Sequence, residues 1–400
     1  MAAVAQRISG LAASATMNMT LMAQRLRAEG RDVIGLVGGE PDYDTPENIK
    51  QAGIAAIRGN VTRYPPGGGT MDLRKALSAK FRNDNGLEYP PEQILVLAGT
   101  KPLLTAAALA LADPGHEVIV PVPYWVSYPN IALMAGLKPV LVECPASNGF
   151  KLRAQDLEAA ITPRTRLLFL NSPNNPSGAV YSATDQLALL QVLLRHPDVW
   201  VVTDEIYEDI CFTEARPVSF ATLDARMADR VITTNGFSKG YAMAGWRLGF
   251  AGGPKEAIRA MARAAGHIAG SAAGFTQAAA TKALTDLRPY LRQHEAEYRE
   301  RRDLVVAAIN QMPGLSTQVP DGAFFVWGDC SGMIGRRTPD GKTIASDDDF
   351  VVSAIEHAGV VVMPGAPFGM SPYFRLCYSA PIATLHEAMG RLRRYCNQLG

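Results

Sequence analysis

The sequence has almost no excess of charge of either sign. Its 39 basic and 38 acidic residues leave a formal net charge of +1 at pH 7. A chain so close to neutrality offers no electrostatic footprint for nucleic acid or for an anionic membrane. It also contains no apolar run that approaches the roughly 20 residues of a membrane span. We therefore expect neither nucleic acid nor membrane among its partners.

Cysteine is equally scarce. The five cysteines, at positions 144, 211, 330, 377 and 396, are scattered and form no Cys-x-x-Cys pair. This pattern predicts neither a disulfide framework nor a zinc site, so we expect no metal and a reducing compartment. The first 28 residues contain three arginines and no acid, as in an organelle transit peptide. Because the segment after Ser14 is helix-like, we assign it to the folded body and expect a cytoplasmic bacterial protein.

What the chain does contain is the composition of a globular protein. Hydrophobic residues make up 48% and charged residues 19% of its 400 positions, and this length is typical of about two domains. Short segments rich in Val, Ile, Leu or Phe alternate with segments of helical periodicity. The predicted strands are Ile94–Leu97, Glu117–Pro121, Leu137–Val142, Arg166–Leu170, Val199–Thr203, Val231–Thr234 and Leu248–Ala251. Such strands, interleaved with helices, predict an α/β fold with a mostly parallel sheet covered on both faces.

Caps and periodicity predict the other elements. Helices are expected from Pro46 to Gly59, from Ser182 to His196 with Ser182 and Asp185 as a capping pair, over Arg288–Asn310, from Asp347 to Gly359, and from Pro381 onwards. Strands are expected over Ala323–Trp327, Val360–Met363 and Tyr373–Cys377. The change of pattern near residue 288 predicts a second, smaller α+β domain. We place the large domain at residues 48–287, and the small domain, with an N-terminal arm and a long bridging helix, at residues 1–47 and 288–400.

The most informative segment is Asn235–Arg247, in which Lys239 lies in a turn rich in glycine and serine. A lysine amine in such a turn suits a covalent imine to an aldehyde cofactor. Arg247, further along the same segment, is placed to hold that cofactor's phosphate. A solvated surface lysine is the ordinary alternative, and the residues that surround Lys239 favour the cofactor.

In an open α/β sheet, ligands bind beyond the carboxyl ends of the strands. One predicted strand ends in Gly99-Thr100-Lys101, after which a helix is predicted over Pro102–Ala112. With proline at the first helical position, the free N–H groups of the first turn point outward and make either an anion site or an ordinary capped helix. No Gly-x-Gly-x-x-Gly lies in the first strand–helix turn, which argues against a nicotinamide dehydrogenase.

Two further strand ends carry an amide and a carboxylate. Prolines and a glycine hold Asn175 rigidly, either as a plain turn or as a pocket wall whose amide donates to an anionic oxygen. Asp204 directly follows an apolar strand, where an unpaired carboxylate is costly. It serves either as the cap of a helix or as the partner of a cation such as a protonated pyridine nitrogen, and Tyr207 can reach the same ligand.

Trp125 and Arg375 complete this set of residues. Trp125 offers a flat face for stacking on an aromatic ring, although a tryptophan in this context is commonly part of the core. Arg375 lies inside the apolar segment Tyr373–Cys377 and needs an anion. That anion is either an internal carboxylate or a ligand carboxylate that matches the fork of the guanidinium.

Together and in this order, these residues resemble the class I pyridoxal-phosphate aminotransferases, a fold type I family that includes aspartate aminotransferase. The resemblance extends from about Arg7 to the C-terminus. It is densest in Gly38–Pro46, Arg63–Gly67, Ser172–Gly178, Asp204–Tyr207 and Lys239–Arg247.

The resemblance implies a role for each residue around pyridoxal 5'-phosphate. Lys239 would hold the cofactor as an imine and move the substrate's proton, and Asp204 would pair with the pyridinium nitrogen. Tyr207 and Asn175 would contact the ring oxygen, and Trp125 would stack on the ring. The phosphate would be bound by Gly99, Thr100, Lys101, Ser238, Arg247 and, from a neighbouring subunit, Tyr64. The implied assembly is a two-fold homodimer with shared active sites.

The implied reaction is transamination between an L-amino acid and a 2-oxo acid by a ping-pong mechanism. Arg375 would bind the substrate α-carboxylate beside Trp125 and Asn175, with the backbone of Gly39 closing over it. Lys101 and Thr16 match residues that line the distal-carboxylate pocket in one bacterial branch, which favours aspartate or glutamate with 2-oxoglutarate or oxaloacetate.

Because of two departures from the family pattern, aromatic and other neutral amino acids remain alternative substrates. Ala12 replaces a lysine found in members that accept prephenate, and the segment His267–Gly274 has few hydrogen-bond donors. Alternatives with the same fold are a β-lyase acting on cysteine conjugates and a cyclising synthase. A non-catalytic sensor domain of a transcription regulator is a further alternative. Such a regulator carries a DNA-binding module ahead of the aminotransferase-like part, and we expect no such module in this sequence.

Overall fold

The computed structural model describes residues 5–11, 15–286 and 294–400. Its strands, in chain order, are β1 Ile34–Gly35, β2 Ile94–Leu97, β3 Glu117–Val122, β4 Lys138–Glu143, β5 Thr165–Asn171, β6 Trp200–Asp204, β7 Val231–Gly236, β8 Gly249–Gly252, β9 Ser316–Thr317, β10 Phe325–Asp329, β11 Val360–Val361, β12 Met363–Pro364 and β13 Tyr373–Cys377. Its α-helices are α1 Gln6–Ser9, α2 Ala15–Ala28, α3 Glu47–Arg58, α4 Met71–Lys80, α5 Thr100–Leu111, α6 Ser127–Met134, α7 Ala154–Ala160, α8 Ala183–Leu193, α9 Lys255–Ile268, α10 Gly274–Asp286, α11 Glu295–Asn310, α12 Asp347–Ala358 and α13 Ile382–Cys396.

The predicted α/β fold is confirmed. The main sheet has the strand order β2-β8-β7-β6-β5-β3-β4, in which only β8 runs antiparallel to its neighbours. Successive residues of β2 belong to different cores, with Val96 in one cluster and Leu95 and Leu97 in another. Because strand side chains alternate between the two faces, this pattern shows that both faces of the sheet are buried. Burial on both faces explains why the strands are almost continuously apolar.

Several predicted element ends are confirmed. Ser182 and Asp185 form a reciprocal capping box at the start of α8, which satisfies backbone N–H groups that the first helical turn leaves free. Ser346 accepts from the backbone of Asp349 at the start of α12. The same helix ends at Gly359, whose left-handed φ of 63° suits glycine.

Two predicted helix starts are wrong. Helix α5 begins at Thr100 rather than at Pro102, because Gly99 adopts a φ of 110° and turns the chain into the helix earlier. The proline therefore lies inside the first turn rather than at its first position. Helix α3 begins at Glu47, and Pro46 is extended (φ −52°, ψ 143°) and precedes the helix as its N-cap.

Two predictions in the C-terminal part also need correction. The strand expected over Ala323–Trp327 is displaced to Phe325–Asp329, because Ala323 adopts a left-handed φ of 58° that an extended strand cannot contain. The long helix expected over Arg288–Asn310 is seen as Glu295–Asn310. Residues 288–293 of that prediction lie outside the described residues.

A second structural unit surrounds an antiparallel sheet of order β12-β13-β10-β9. The N-terminal segment joins this unit, since β1 pairs in parallel with β11 and Leu36 belongs to the same core cluster as Phe350 and Leu385. This composition accords with the predicted small domain, whose boundaries stay predictions. None of the helices in the described part of the chain combines the length and the hydropathy that a membrane crossing needs.

Candidate active site

A cavity of about 270 Å³ lies at the carboxyl ends of the central parallel strands. Its lining residues are Gly39, Thr100, Lys101, Trp125, Tyr128, Asn171, Asn175, Asp204, Ile206, Tyr207, Ser238, Lys239, Arg247 and Arg375. Asp204 is the last residue of β6, and Lys239 follows β7 closely. Arg375 comes from β13 of the second unit, so the cavity is enclosed by both units. This is where ligands bind in open α/β sheets.

Most of the residues predicted for the site meet in this cavity. The other three predicted site residues are Gly99, Tyr64 and Thr16. Gly99 does not line the cavity but directly precedes Thr100, and Tyr64, which was predicted for the site of a neighbouring subunit, is fully exposed and does not line it. The side chain of Thr16 lies outside the described residues, as does Ala12. The cavity adds Tyr128, Asn171 and Ile206, to which the sequence assigned no role.

Lys239 is the amine of the site. Its Nζ donates to the carbonyl oxygen of Gly39 and lies 6.0 Å from the centre of the Tyr207 ring. Desolvation lowers the pKa of this lysine to about 8, from an ordinary value of 10.5. Since the neutral amine is the nucleophilic and basic form, the surroundings favour reactive chemistry near neutral pH.

Asp204 and Tyr128 form a buried pair on the cavity floor. The hydroxyl of Tyr128 donates to Oδ2 of Asp204 over 2.9 Å, while Oδ1 has no hydrogen-bond partner among the described residues. Burial raises the pKa of Asp204 to about 6, and the hydrogen bond from Tyr128 opposes that rise. Residues 206–209 form a turn rather than a helix, so the predicted alternative of a helix cap is wrong. The free oxygen is suited to a cationic ligand.

The sequence could have indicated Tyr128. It lies three residues after Trp125, about one helical turn, at the start of α6. Its ring packs at 5.5 Å from that of Trp125 and at 5.4 Å from that of Phe169. What the sequence does not reveal is that this helix directs the hydroxyl towards the end of β6.

Asn175 links Tyr207 and Arg375. Nη1 of Arg375 donates to Oδ1 of Asn175 over 2.9 Å, so the amide nitrogen remains to donate elsewhere. Burial raises the pKa of the Tyr207 phenol well above its ordinary value, and the charge of Arg375 and the amide of Asn175 oppose that rise. Arg375 itself makes no ion pair within the described residues, so the internal salt bridge considered from the sequence is not seen there.

Another group of lining residues is suited to an anion. Helix α5 directs its N-terminal N–H groups there, beside the hydroxyl of buried Ser238 and the guanidinium of Arg247. Gly99 permits this approach, because a Cβ atom at that position would lie 2.6 Å from Nη2 of Arg247. Backbone N–H groups, a helix dipole and a guanidinium are together a strong phosphate-binding arrangement.

Trp125 and Lys101 form one wall of the cavity. Nζ of Lys101 lies 5.0 Å from the Trp125 ring centre, within the range of a cation–π contact. Partial burial and then the charge of Arg247 lower the pKa of Lys101. The wall therefore combines a flat aromatic face with a cation that could meet an anionic group.

Comparison with known proteins yields consistent matches along the whole chain. Residues 31–392 match the family described as aminotransferase class I and II. The aspartate aminotransferase of Rhizobium meliloti strain 1021 is 46% identical over 99% of this chain and 96% of its own length. The aspartate/prephenate aminotransferase of Cereibacter sphaeroides is 42% identical over 99% of both chains.

Solved structures give the same result. The crystal structure of the Rhizobium meliloti aspartate aminotransferase is similar with a TM-score of 0.97, 46% identity and full coverage of both chains. The Thermus thermophilus aspartate aminotransferase with maleate gives a TM-score of 0.91 and 38% identity, over 99% of this chain and 100% of that one.

Proposed function

The chain belongs to the class I and II aminotransferases, and from that membership we propose that it holds pyridoxal 5'-phosphate at Lys239. With this cofactor it transfers an amino group from an L-amino acid, aspartate or glutamate, to a 2-oxo acid such as 2-oxoglutarate, in ping-pong fashion. One observation carries the proposal. A desolvated amine and a buried, half-partnered carboxylate line the same cavity as a site suited to an anion.

The residues fit the cofactor by charge. Oδ1 of Asp204, buried and without a partner among the described residues, suits a protonated ring nitrogen, and the N-terminus of α5 with Arg247 suits a phosphate dianion. Pyridoxal phosphate supplies an aldehyde carbon and an electron-withdrawing ring. Tyr128 would keep Asp204 ionised and oriented, and Trp125 would present its ring face.

The protein's own residues would position the substrate and remove the proton from its Cα. Arg375 would orient the substrate through its α-carboxylate, with the amide of Asn175 beside it. Lys239 would then take the proton from the substrate Cα and return it to the product, as a general base and acid held at short range. Its lowered pKa fits this work, because an amine with a pKa near 8 exchanges protons readily at neutral pH.

Lys101 supports a dicarboxylic substrate. It lines the same cavity as Arg375 and lies against Trp125, so the cavity offers a cation for each carboxylate of a dicarboxylic substrate. The Thermus thermophilus relative was solved with maleate, which is a dicarboxylate. The relatives named above are aspartate or aspartate/prephenate aminotransferases.

A half-reaction screen tests this substrate proposal. Each of twenty amino acids is mixed with the cofactor-loaded enzyme, and the cofactor absorbance is followed in a stopped-flow instrument. We expect L-aspartate and L-glutamate to react fastest. We expect Lys101→Met to lower kcat/KM for L-aspartate about 10- to 100-fold, because a charge-assisted hydrogen bond is lost, and to change L-alanine by less than about three-fold.

Lys255→Met is the matched control, because Lys255 is an exposed lysine of α9 outside the cavity. Faster reaction of the aromatic amino acids than of L-aspartate would show that the substrate class is wrong. The β-lyase alternative is not favoured by the relatives. It would reveal itself as steady release of pyruvate and ammonia without any 2-oxo acid, whereas a transaminase stops after one half-reaction.

We further propose a homodimer with shared active sites. Tyr64 is completely exposed, and Ile57, Val61 and Met71 of the same segment are exposed apolar side chains. Clustered exposed apolar groups are typical of a surface that a partner covers. The hydroxyl of Ser271 lies 3.5 Å from the carbonyl of Pro65, so the segment His267–Gly274 packs beside Tyr64 and would belong to the same interface.

Subunit mixing tests the shared site. Tyr64→Ala and Lys239→Ala variants are each expected to be impaired alone. In a mixed dimer, one site would combine an intact Lys239 with the intact Tyr64 of the other subunit, so activity should return to roughly half of the wild-type value per dimer. The measurement is activity at limiting cofactor after dissociation and reassociation. Absence of any gain in a dimer of proven composition would place Tyr64 outside the neighbouring site.

A further inference from the structure

Arg375 is a buried cation that forms no ion pair within the described residues. Its side chain is 2% exposed, and its two terminal nitrogens donate to neutral oxygens, the amide of Asn175 and the carbonyl of Val37, each over 2.9 Å. Nε has no partner within the described residues. Burying an unpaired charge is costly in free energy, so other groups must offset part of that cost.

Two aromatic rings lie against this guanidinium. Its central carbon is 4.4 Å from the ring centre of Phe325 and 4.9 Å from that of Phe368. Both phenylalanines are completely buried, and desolvated cation–π contacts are the strongest of their kind. An aromatic face attracts a cation while carrying no net charge itself.

We infer that Phe325 and Phe368 are positioning residues that stabilise and orient the guanidinium of Arg375 while leaving its positive charge for the substrate's α-carboxylate. A carboxylate in their place would also stabilise the arginine, but it would neutralise the charge and compete with the substrate. The rings avoid that competition. This inference rests on the proposed role of Arg375 in binding the α-carboxylate.

Phe368 offers the cleaner test of the two rings. Phe325 also packs against Tyr207, at 5.8 Å between ring centres, so its removal would disturb two site residues. Phe368 contacts the edge of Trp327, at 5.5 Å. Its link to the large unit is its backbone carbonyl, which accepts from the N–H of Tyr124 over 3.1 Å and persists in a side-chain variant.

The experiment compares Phe368→Leu, Phe368→Met and Phe368→Tyr in the cofactor-loaded enzyme. The two aliphatic variants remove the π face, so we expect KM for L-aspartate and the Kd of maleate to rise about ten-fold, while kcat changes less than about three-fold. The tyrosine variant keeps the ring and should remain near wild type. β-Alanine, which is aspartate without its α-carboxylate, should react at an unchanged rate.

A double-mutant cycle separates this inference from the role on which it rests. In an Arg375→Ala background, Phe368→Leu should cause no further loss with L-aspartate, because the ring acts through the guanidinium. Additive losses, an equal loss with β-alanine, or a tyrosine variant as poor as the leucine variant would overturn the inference. If Arg375→Ala itself leaves KM for L-aspartate unchanged, the proposed role of Arg375 fails instead. Phe368→Met keeps the test valid if the leucine variant does not fold.

Discussion

Replacing Lys239 by alanine should lower kcat by about 10⁴-fold or more, since it removes both the nucleophile and the base that moves the substrate proton. No other group in the cavity can take over both tasks. Lys101 is the other lysine of the lining, and its Nζ lies over the Trp125 ring. The backbone near the substitution should be preserved, because Lys239 donates only to the carbonyl of Gly39 among the described residues.

Two measurements check this prediction. Borohydride reduction of the loaded wild-type enzyme should fix the cofactor on the peptide that contains Lys239, as read by mass spectrometry, and should fix none on the alanine variant. Lys101→Ala is the matched control and should retain the attachment. Unaltered turnover of the alanine variant, or a cofactor attached elsewhere in the wild-type enzyme, would refute the proposed function as a whole.

The sequence predicted the fold well where each local signal has one physical cause. The strands of the main sheet are buried on both faces, so their apolar runs are unbroken and their positions were predicted to within about two residues. Polar residues directly after such runs have to lie at the carboxyl edge of the sheet. Asp204, which directly follows such a run, was placed at this edge for this reason, and the family resemblance placed Lys239 in the same site.

The sequence could not predict contacts that depend on packing between distant segments. In the sequence, Phe325 and Phe368 have the pattern of ordinary core residues. The pairing of β10 with β13 and the turn before Gly369 bring them to Arg375 in the structure. The start of α5 was predicted at Pro102 because proline is common at the first position of a helix. In the structure the helix begins two residues earlier, because Gly99 has a positive φ that turns the chain into the helix at Thr100. The role of Tyr128 likewise depends on the direction of α6.

Replacing Asp204 by asparagine should lower kcat about a thousand-fold, because an amide cannot keep a bound pyridine nitrogen protonated. The size of the side chain is retained, and the hydroxyl of Tyr128 can still donate to the amide oxygen. A cofactor methylated on its ring nitrogen carries a permanent positive charge and should restore a large part of the lost activity. If it restores none, Asp204 acts in some way other than through ring protonation.

The same substitution should stabilise the cofactor-free protein. The shift in the pKa of Asp204 fixes how this effect on the free energy of unfolding depends on pH. Burial raises the pKa of Asp204 from 3.8 to about 6, so the folded state binds this proton more tightly than the unfolded chain. The charged carboxylate therefore destabilises the fold fully above pH 6 and not at all below pH 3.8. Asp204→Asn should raise the free energy of unfolding at pH 7.5 by on the order of 2 kcal/mol, and the gain should shrink as the pH falls through this window. Urea titrations at several pH values measure this gain in the free energy of unfolding.

Tyr128→Phe is the companion variant. It should raise the pKa of Asp204 further and destabilise the fold at pH 7.5, because it removes the hydrogen bond that favours the carboxylate. A gain for the asparagine variant that does not depend on pH would show that the charge of Asp204 is not its source. The ionised carboxylate, which the proposed chemistry requires, would then not be what destabilises the cofactor-free fold.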